Sequence, residues 1–465
     1  MNKLKIHFVI DNDEQSSNFS PSFGVGYLSS YLKAHLDNLQ ISLSFMSADL
    51  CKDIEAVKPD IIGFSCTSRY FIQFRQLANE LKEKFNLPII WGGVHISIAP
   101  YELPDSVALG VVGEGEETVL ELLKNFREGA FHNLDAIAGI VFRSDGKLVL
   151  TAKRPLIDPL DRIPPPDLDL LGVRWGRSSR GVMLTSRGCP YKCRFCASSM
   201  FWDRTRLHSA EYVVNEMKEL VSRYRVKEIL IYDDFFTIDR KRVAKIAELK
   251  KQEPILQHLR FECLSRVDNF TEELARLLKD MGIFKISFGI ESGCQKSLDY
   301  LKNGKVTIAQ IEKALGLAKK YGFQRVGSFV IGSPFESADD IRETFAFVKK
   351  LDLNSVQITV ATPFPGTELW EDGKKIGRIP DDAWSDDYYT LFGVDMNTDI
   401  RALLKGKILM TQLDLEEFYA LAEEGVRIQN SVNVTIRHKM RTWLRKLIIG
   451  SGLGFVLKWK KRFTA

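Results

Sequence analysis

Two successive trains of short apolar runs alternating with amphipathic helical patterns constrain this chain more than any other feature. In the first 130 or so residues, KIHFVID, ISLSFMSA, DIIGFSC, LPIIWGG and VALGVVG read as strands, and GVGYLSSYLKAHL, YFIQFRQLANELKEKF and EETVLELLKNF as helices. Such alternation predicts a parallel, doubly wound sheet, because each strand must return to the same edge through a crossover helix. Ligands bind such sheets beyond the carboxyl ends of the strands. Those ends carry Asp11–Asn12–Asp13, Ser65–Cys66–Thr67–Ser68, Gly92–Gly93 and Gly113–Glu114–Gly115, and glycine there lets a backbone approach a bulky ligand. From 180 to about 395 the alternation resumes with a longer period, through six strand patterns from GVMLTSR to NSVQITVATP. Six βα units in series predict a partial (β/α)6 or full barrel with its site at the carboxyl face.

The stretch between the two trains, 136–178, reads as a linker. It holds one hairpin, AGIVFRSDGKLVLTAKR, with Asp145–Gly146 as the turn, followed by the proline-rich DPLDRIPPPDLDLL, which suits neither a helix nor a central strand. The expected division is therefore an N-terminal α/β domain at 1–135, the linker, a barrel at 179–395 and a helical C-terminal region at 396–465 with a basic amphipathic end.

Composition narrows the class. A hydrophobic fraction of 45% and a charged fraction of 27% are those of a globular protein with a large core. The net charge of +5 is small for 465 residues and gives no reason to expect nucleic acid as a partner. It gathers in the tail, at Arg437, Lys439, Arg441, Arg445, Lys458 and Lys460 among others. The N-terminal apolar run is short and followed by acids, so it reads as a strand and not a signal peptide. No apolar stretch of about 18 residues suggests a spanning helix. Seven cysteines in so long a chain do not form a disulfide framework, and a reducing cytoplasm is the expected compartment.

The strongest chemical signal is Cys189-Pro-Tyr-Lys-Cys193-Arg-Phe-Cys196, in the loop after the first barrel strand. Thiolates are the usual ligands of iron–sulfur clusters, which normally take four. A local set of three leaves one iron open, and an open position is where a metal site does chemistry. The competing reading is a structural zinc site completed by a residue such as His208.

This spacing, with an aromatic residue before the last cysteine, resembles the radical S-adenosylmethionine (SAM) superfamily. The resemblance implies a [4Fe-4S] cluster on Cys189, Cys193 and Cys196, SAM chelating the fourth iron, and Phe195 near the adenine. Further matches follow. IYDDFF resembles the acidic element after the second barrel strand, which places Asp233 and Asp234 toward the SAM amino group. Arg266 stands where the family pairs the SAM carboxylate, a task suited to a bidentate guanidinium. GIESG brings Glu291 and Ser292 to the ribose, and GSFVIGSPFES brings the backbone of Gly327 and Gly332 to the adenine, although Ser333 and Phe335 depart from the common pattern. ATPFPGTEL resembles the sixth strand-end loop.

Several N-terminal pieces resemble the cobalamin-binding domain that precedes many radical SAM barrels: Ser22 to Leu32, Lys58 to Gly63, Trp91-Gly92-Gly93-Val94-His95 and Val112-Gly113-Glu114-Gly115-Glu116-Glu117-Thr118. They imply a Rossmann-like domain in which Gly92, Gly93, Gly113, Glu114 and Gly115 line a crevice for a corrin and His95 touches its periphery. The pattern Asp-x-His-x-x-Gly, which would supply a histidine to cobalt, does not occur, so the resemblance implies the subclass that binds cobalamin without a histidine below the metal. The resemblance is to the cobalamin-dependent radical SAM methyltransferase class. It implies methylation of an unactivated carbon of a small or lipid-like metabolite and an external electron donor such as flavodoxin or ferredoxin. The alternative is cyclisation, ring contraction or carbon–carbon bond formation with the same cofactors, and a further one is a non-catalytic cobalamin or redox sensor. Catalytic residues proper are not assigned. Cys51, Cys66, Cys263 and Cys294 read as small core residues, with Cys66 also facing the corrin crevice. The basic tail, with Trp443 and Trp459 among its apolar residues, suits a helix lying in a membrane interface and equally a helix packed on the barrel.

Overall fold

The computed structural model describes residues 3–11, 22–47, 49–129, 131–173, 179–380, 399–405 and 407–450, with side chains to 433. Asn12, Asp13 and the basic residues of the tail lie outside the described side chains. Packing divides the chain into two compact units. The first comprises Met1–Leu264 with 276–283 and 363–389, and the second the remaining segments.

In the first unit, β1 (Leu4–Ile10), α1 (Phe23–His35), β2 (Leu39–Phe45), α2 (Leu50–Val57), β3 (Ile61–Ser65), α3 (Phe71–Phe85), β4 (Ile89–Gly92), α4 (Val94–Ile98), β5 (Leu109–Val111) and α5 (Gly115–Arg127) follow in order. The sheet runs β2-β1-β3-β4-β5, all parallel. Alternation along β1 builds a core on each face. Ile6, Phe8 and Ile10 pack with Val25 and Leu32 of α1 and Val119, Leu122 and Leu123 of α5, whereas Val9 packs with Ile54 of α2 and Phe71, Phe74 and Ala78 of α3. Both faces are thus covered by helices, as a parallel sheet requires.

The linker needs correction. Its hairpin, β6 (Ile140–Ser144) and β7 (Lys147–Leu150), turns at Asp145 and Gly146, both with positive φ. It joins the sheet antiparallel to β5 and so extends the N-terminal fold to seven strands. The reason is edge protection: Ile140, Val141 and Phe142 are buried and cover what would be an open strand edge.

The barrel segment begins in the same unit with β8 (Arg180–Met183), the short pair β9 (Ser186–Arg187) and β10 (Arg206–Leu207) flanking α6 (Ser198–Phe201), then α7 (Ala210–Tyr224), β11 (Glu228–Ile231), α8 (Arg240–Gln252) and β12 (Arg260–Ser265). β11 pairs in parallel with β8 on one side and β12 on the other. After α9 (Glu272–Met281) come β13 (Ile283–Glu291), α10 (Gln295–Lys302), α11 (Ile308–Lys320), β14 (Gln324–Ile331), α12 (Ala338–Lys350) and β15 (Ser355–Val360). Within the second unit β14 lies parallel between β13 and β15. α13 (Glu368–Lys375), α14 (Ile400–Leu404) and the long α15 (Leu415–Gly450) complete the elements among the described residues. α15 is tied to β15 by Gln429 and Asn433, which accept from the backbone N–H groups of Ile358 (2.7 Å) and Val356 (3.1 Å). The architecture is α/β: the N-terminal sheet, a half-barrel of parallel strands, and a helical C-terminal region. Among the described residues no helix is long and apolar enough to cross a membrane.

Candidate active site

The cysteine loop leaves β9 through Gly188, whose φ of +90° turns the chain into Cys189. Cys189, Cys193 and Cys196 are half-buried thiols. A turn closes them, with Cys196 N–H donating to the Cys193 carbonyl at 3.0 Å. Burial pushes the Cys196 thiol up to about 11, and the negative charge of Cys193, Asp234 and Cys189 adds to the rise. One short loop thus carries three half-buried thiols, the residue type that iron–sulfur clusters take as ligands. Arg194, inside the loop, holds Glu368 and Asp372 of α13 at 3.0 Å each, and Leu369 N–H donates to its carbonyl. The motif ending at Leu369 therefore clamps the loop. Phe195 sits half-buried in the turn. His208, the residue that would complete a zinc site, is held by Asp161 (3.0 Å) and stacked on Tyr212 (3.8 Å between centroids).

The two acids after β11 divide their labour. Asp233 is fully buried and accepts from Thr185 N–H and Oγ1 (2.5 Å each) and Ser186 N–H (3.2 Å). Its carboxylate thus fixes the turn that leads to the cysteines, in place of the ligand-facing role expected for it. Asp234 accepts from Ser198 Oγ at 2.6 Å and lines a cavity.

That cavity, of about 650 Å³, lies at the carboxyl ends of β1, β3, β4 and β5. Its wall includes Gly92, Gly93, Gly113, Glu114 and Gly115, and also Trp202, Tyr232 and Asp234 from the later part of the chain. A Cβ at Gly24 or Gly113 would meet no atom within 4 Å, and at Gly92 none within 3.8 Å. These glycines leave room that the chain does not fill, the cradle a flat macrocycle needs. Gly93 has a different reason: a Cβ there would sit 2.7 Å from the Cys66 carbonyl oxygen. Cys66 itself lines the cavity and accepts from Trp91 Nε1 at 3.2 Å.

One expectation for this wall is corrected, and one residue of it is already engaged by the protein. His95 is absent from the lining; it is fully buried and stacked on Phe71 (4.0 Å), and burial takes its imidazole down to about 3, so it stays neutral. Glu114 faces the cavity, but its carboxylate is committed to Arg187 (2.6 Å), Arg206 (2.8 Å) and Ile157 N–H (2.8 Å). Burial alone would raise its pKa; these partners together overcome that and hold it below the ordinary range. Arg187, Arg206 and Trp202 are the neighbours of Glu114 and of this wall that sequence reasoning missed.

In the second unit the expected SAM residues are engaged locally. Arg266 grips Asp268 through two hydrogen bonds (2.9 and 2.8 Å). Glu291, at φ +71°, pairs with the buried Lys302 at 2.7 Å. Ser292 is buried and hydrogen-bonds Thr344 at 2.8 Å. Gly327 makes way for Leu353, which would lie 2.7 Å from a Cβ at that position, and Gly332, at φ +81°, does the same for Phe418 (2.6 Å). Gly332 N–H and Ser333 N–H both donate to Glu336, whose buried carboxyl is pushed up to about 7.

Comparison with known proteins agrees with this geometry. Residues 183–348 match the radical SAM superfamily and residues 15–123 the B12 binding domain. An uncharacterised methyltransferase of Pyrococcus horikoshii is 37% identical over 365 residues, covering 76% of this chain and 78% of that one. An anaerobic magnesium-protoporphyrin IX monomethyl ester cyclase of Rubrivivax gelatinosus is 29% identical over 388 residues, covering 78% and 68%. In fold, the chain is similar to the radical SAM methyltransferase TsrM of Kitasatospora setae, solved with cobalamin and a [4Fe-4S] cluster (TM-score 0.69, 17% identity, 90% and 84% covered).

Proposed function

The chain belongs to the cobalamin-binding radical SAM family, and from that premise we propose that it is an enzyme that methylates an unactivated carbon of a small or lipid-like metabolite. The observation that supports this is the meeting of two features. The wall of the glycine-lined cavity includes Trp202, which follows the thiol triad in the chain, and Asp234, whose charge bears on the Cys196 thiol. In this reading Cys189, Cys193 and Cys196 hold a [4Fe-4S] cluster, and Gly24, Gly92 and Gly113 admit the corrin. When bound, these cofactors with SAM supply radical formation and methyl transfer, and the protein supplies position and exclusion of water.

The chain's own residues do the positioning. Asp233 fixes the turn before the cysteines, and Asp234 and Phe195 meet SAM. Arg266, oriented by Asp268, meets the SAM carboxylate. Glu291, Ser292, Gly327 and Gly332 shape the remainder of that site. The division into 1–135, 136–178, 179–395 and 396–465 is kept as functional parts, with the hairpin counted to the N-terminal sheet. An electron donor such as flavodoxin or ferredoxin, a cytoplasmic location and contact of the basic tail with an anionic membrane surface belong to the same reading.

Likeness to a cyclase favours a second outcome, ring formation with the same cofactors. Reduced, reconstituted protein should release 5′-deoxyadenosine from SAM and pass label from methyl-labelled SAM into product. Deoxyadenosine with unlabelled product points to cyclisation. No cleavage of SAM contradicts both and leaves a sensor.

A further inference from the structure

The cysteine loop is held at its first residue by a buried network that the assignment of cofactors does not use. Arg187 ends β9, two residues before Cys189. Its guanidinium donates to Glu114 and to Glu116 at 2.6 Å each, and lies over the rings of Tyr27 (5.3 Å) and Trp202 (5.7 Å). Arg206 completes the network, with two hydrogen bonds of 2.8 Å to Glu114 and its own guanidinium over Trp202 at 5.4 Å. Two arginines balance two carboxylates. Between Arg187 and Cys189 stands only Gly188, where a Cβ would be 2.9 Å from both the Arg204 carbonyl oxygen and Trp202 Cβ. The backbone step between the two residues is therefore closely packed. Tyr27 adds a second tie, its hydroxyl donating to the Leu184 carbonyl at 3.3 Å. Tyr27, Glu114, Glu116, Arg187 and Trp202 all line the cavity.

We propose that Arg187 is a positioning residue that ties the corrin cavity to the cluster loop, so that filling the cavity alters the surroundings of the cluster. The proposal rests on the cofactor assignment above. Its physical basis is that close-packed interiors transmit displacement instead of absorbing it. An occupant that presses on the rings or carboxylates of this wall must move the arginine, and the arginine moves Cys189.

The test uses the full chain, loaded with iron and sulfide under anaerobic conditions and left oxidised, with hydroxocobalamin as the probe. The Mössbauer spectrum of the cluster, which is blind to cobalt, is recorded with and without it. Wild-type protein should show a corrin-induced shift. Arg187→Lys keeps the charge and loses the fork. It should retain its iron, lose that shift, and bind hydroxocobalamin about 10-fold more weakly. Should that variant fail to fold, Glu116→Gln carries the same comparison, since it loosens one arm and leaves Glu114 in place. A variant that shifts and binds like wild type overturns the proposal, as does a wild-type spectrum indifferent to bound corrin. Wild-type protein that retains no corrin absorption after desalting overturns the cofactor assignment, and the proposal with it.

Discussion

Glycines at the mouth of the N-terminal sheet and glycines at the ends of the later barrel strands look alike in sequence and serve opposite ends. At Gly24, Gly92 and Gly113 the space beside the backbone is left open. In the second unit it is taken by the chain itself. A Cβ at Gly289 would lie 2.6 Å from the Glu291 carboxylate, at Gly293 2.4 Å from Phe347 Cβ, and at Gly332 2.6 Å from Phe418. The first set makes a receptacle, and the second lets a charged pair and two aromatic rings close against the sheet. A glycine is therefore a statement about proximity, and only the structure says to what.

The closed region breaks most severely at its charge. Lys302→Ala should cost about 3–5 kcal/mol in chemical denaturation, because it strands a buried Glu291; a loss under about 1 kcal/mol would show the pair to be hydrated. Next comes a pH effect beside the open region. Glu216, on α7, is fully buried, its carboxyl oxygens have no hydrogen-bond partner among the described residues, and burial pushes it from 4.5 up to about 8. Folding therefore favours its protonated form. Its contribution is full below about pH 4.5 and is lost as pH rises through 8. Glu216→Gln should remove that loss and raise stability at pH 9 by roughly 2–4 kcal/mol relative to wild type; parallel pH–stability curves would contradict it. Gly293→Ala should cost about 1–3 kcal/mol through overpacking against Phe347. Gly92→Ala sharpens the contrast from the other side. Its stability should change by less than about 0.5 kcal/mol, while hydroxocobalamin binding weakens; a destabilised but normally binding variant would place Gly92 with the packing glycines.

Much of this was legible in the sequence because its determinants are local. Strand–helix alternation, the Cys189–Cys196 spacing and the Asp145–Gly146 turn each depend on neighbours within a few residues. What escaped depends on pairs far apart in the chain. Glu114 meets Arg206 across 92 residues and Arg187 across 73, and Asp233 meets Thr185 across 48. Nothing in a GEGE turn distinguishes a carboxylate that faces a ligand from one held by arginines of a later loop. The hairpin reads as a connector for a related reason: antiparallel addition to a parallel sheet leaves no mark on the alternation. Arg266 and Asp268, only two residues apart, are the exception, a pair the sequence displays openly.

The central claim is that the glycine-lined cavity is the corrin site, built from other residues than the thiols that hold the cluster. Gly24, on α1, lines that cavity with nothing within 4 Å of where its side chain would go, so Gly24→Phe should put a ring in the way of a corrin. In an anaerobic titration with hydroxocobalamin, wild-type protein carrying about four irons should saturate with one corrin per chain, and Gly24→Phe should keep its iron and take up none. Equal uptake by the two proteins would contradict the site, and no uptake by either would contradict the cofactor itself.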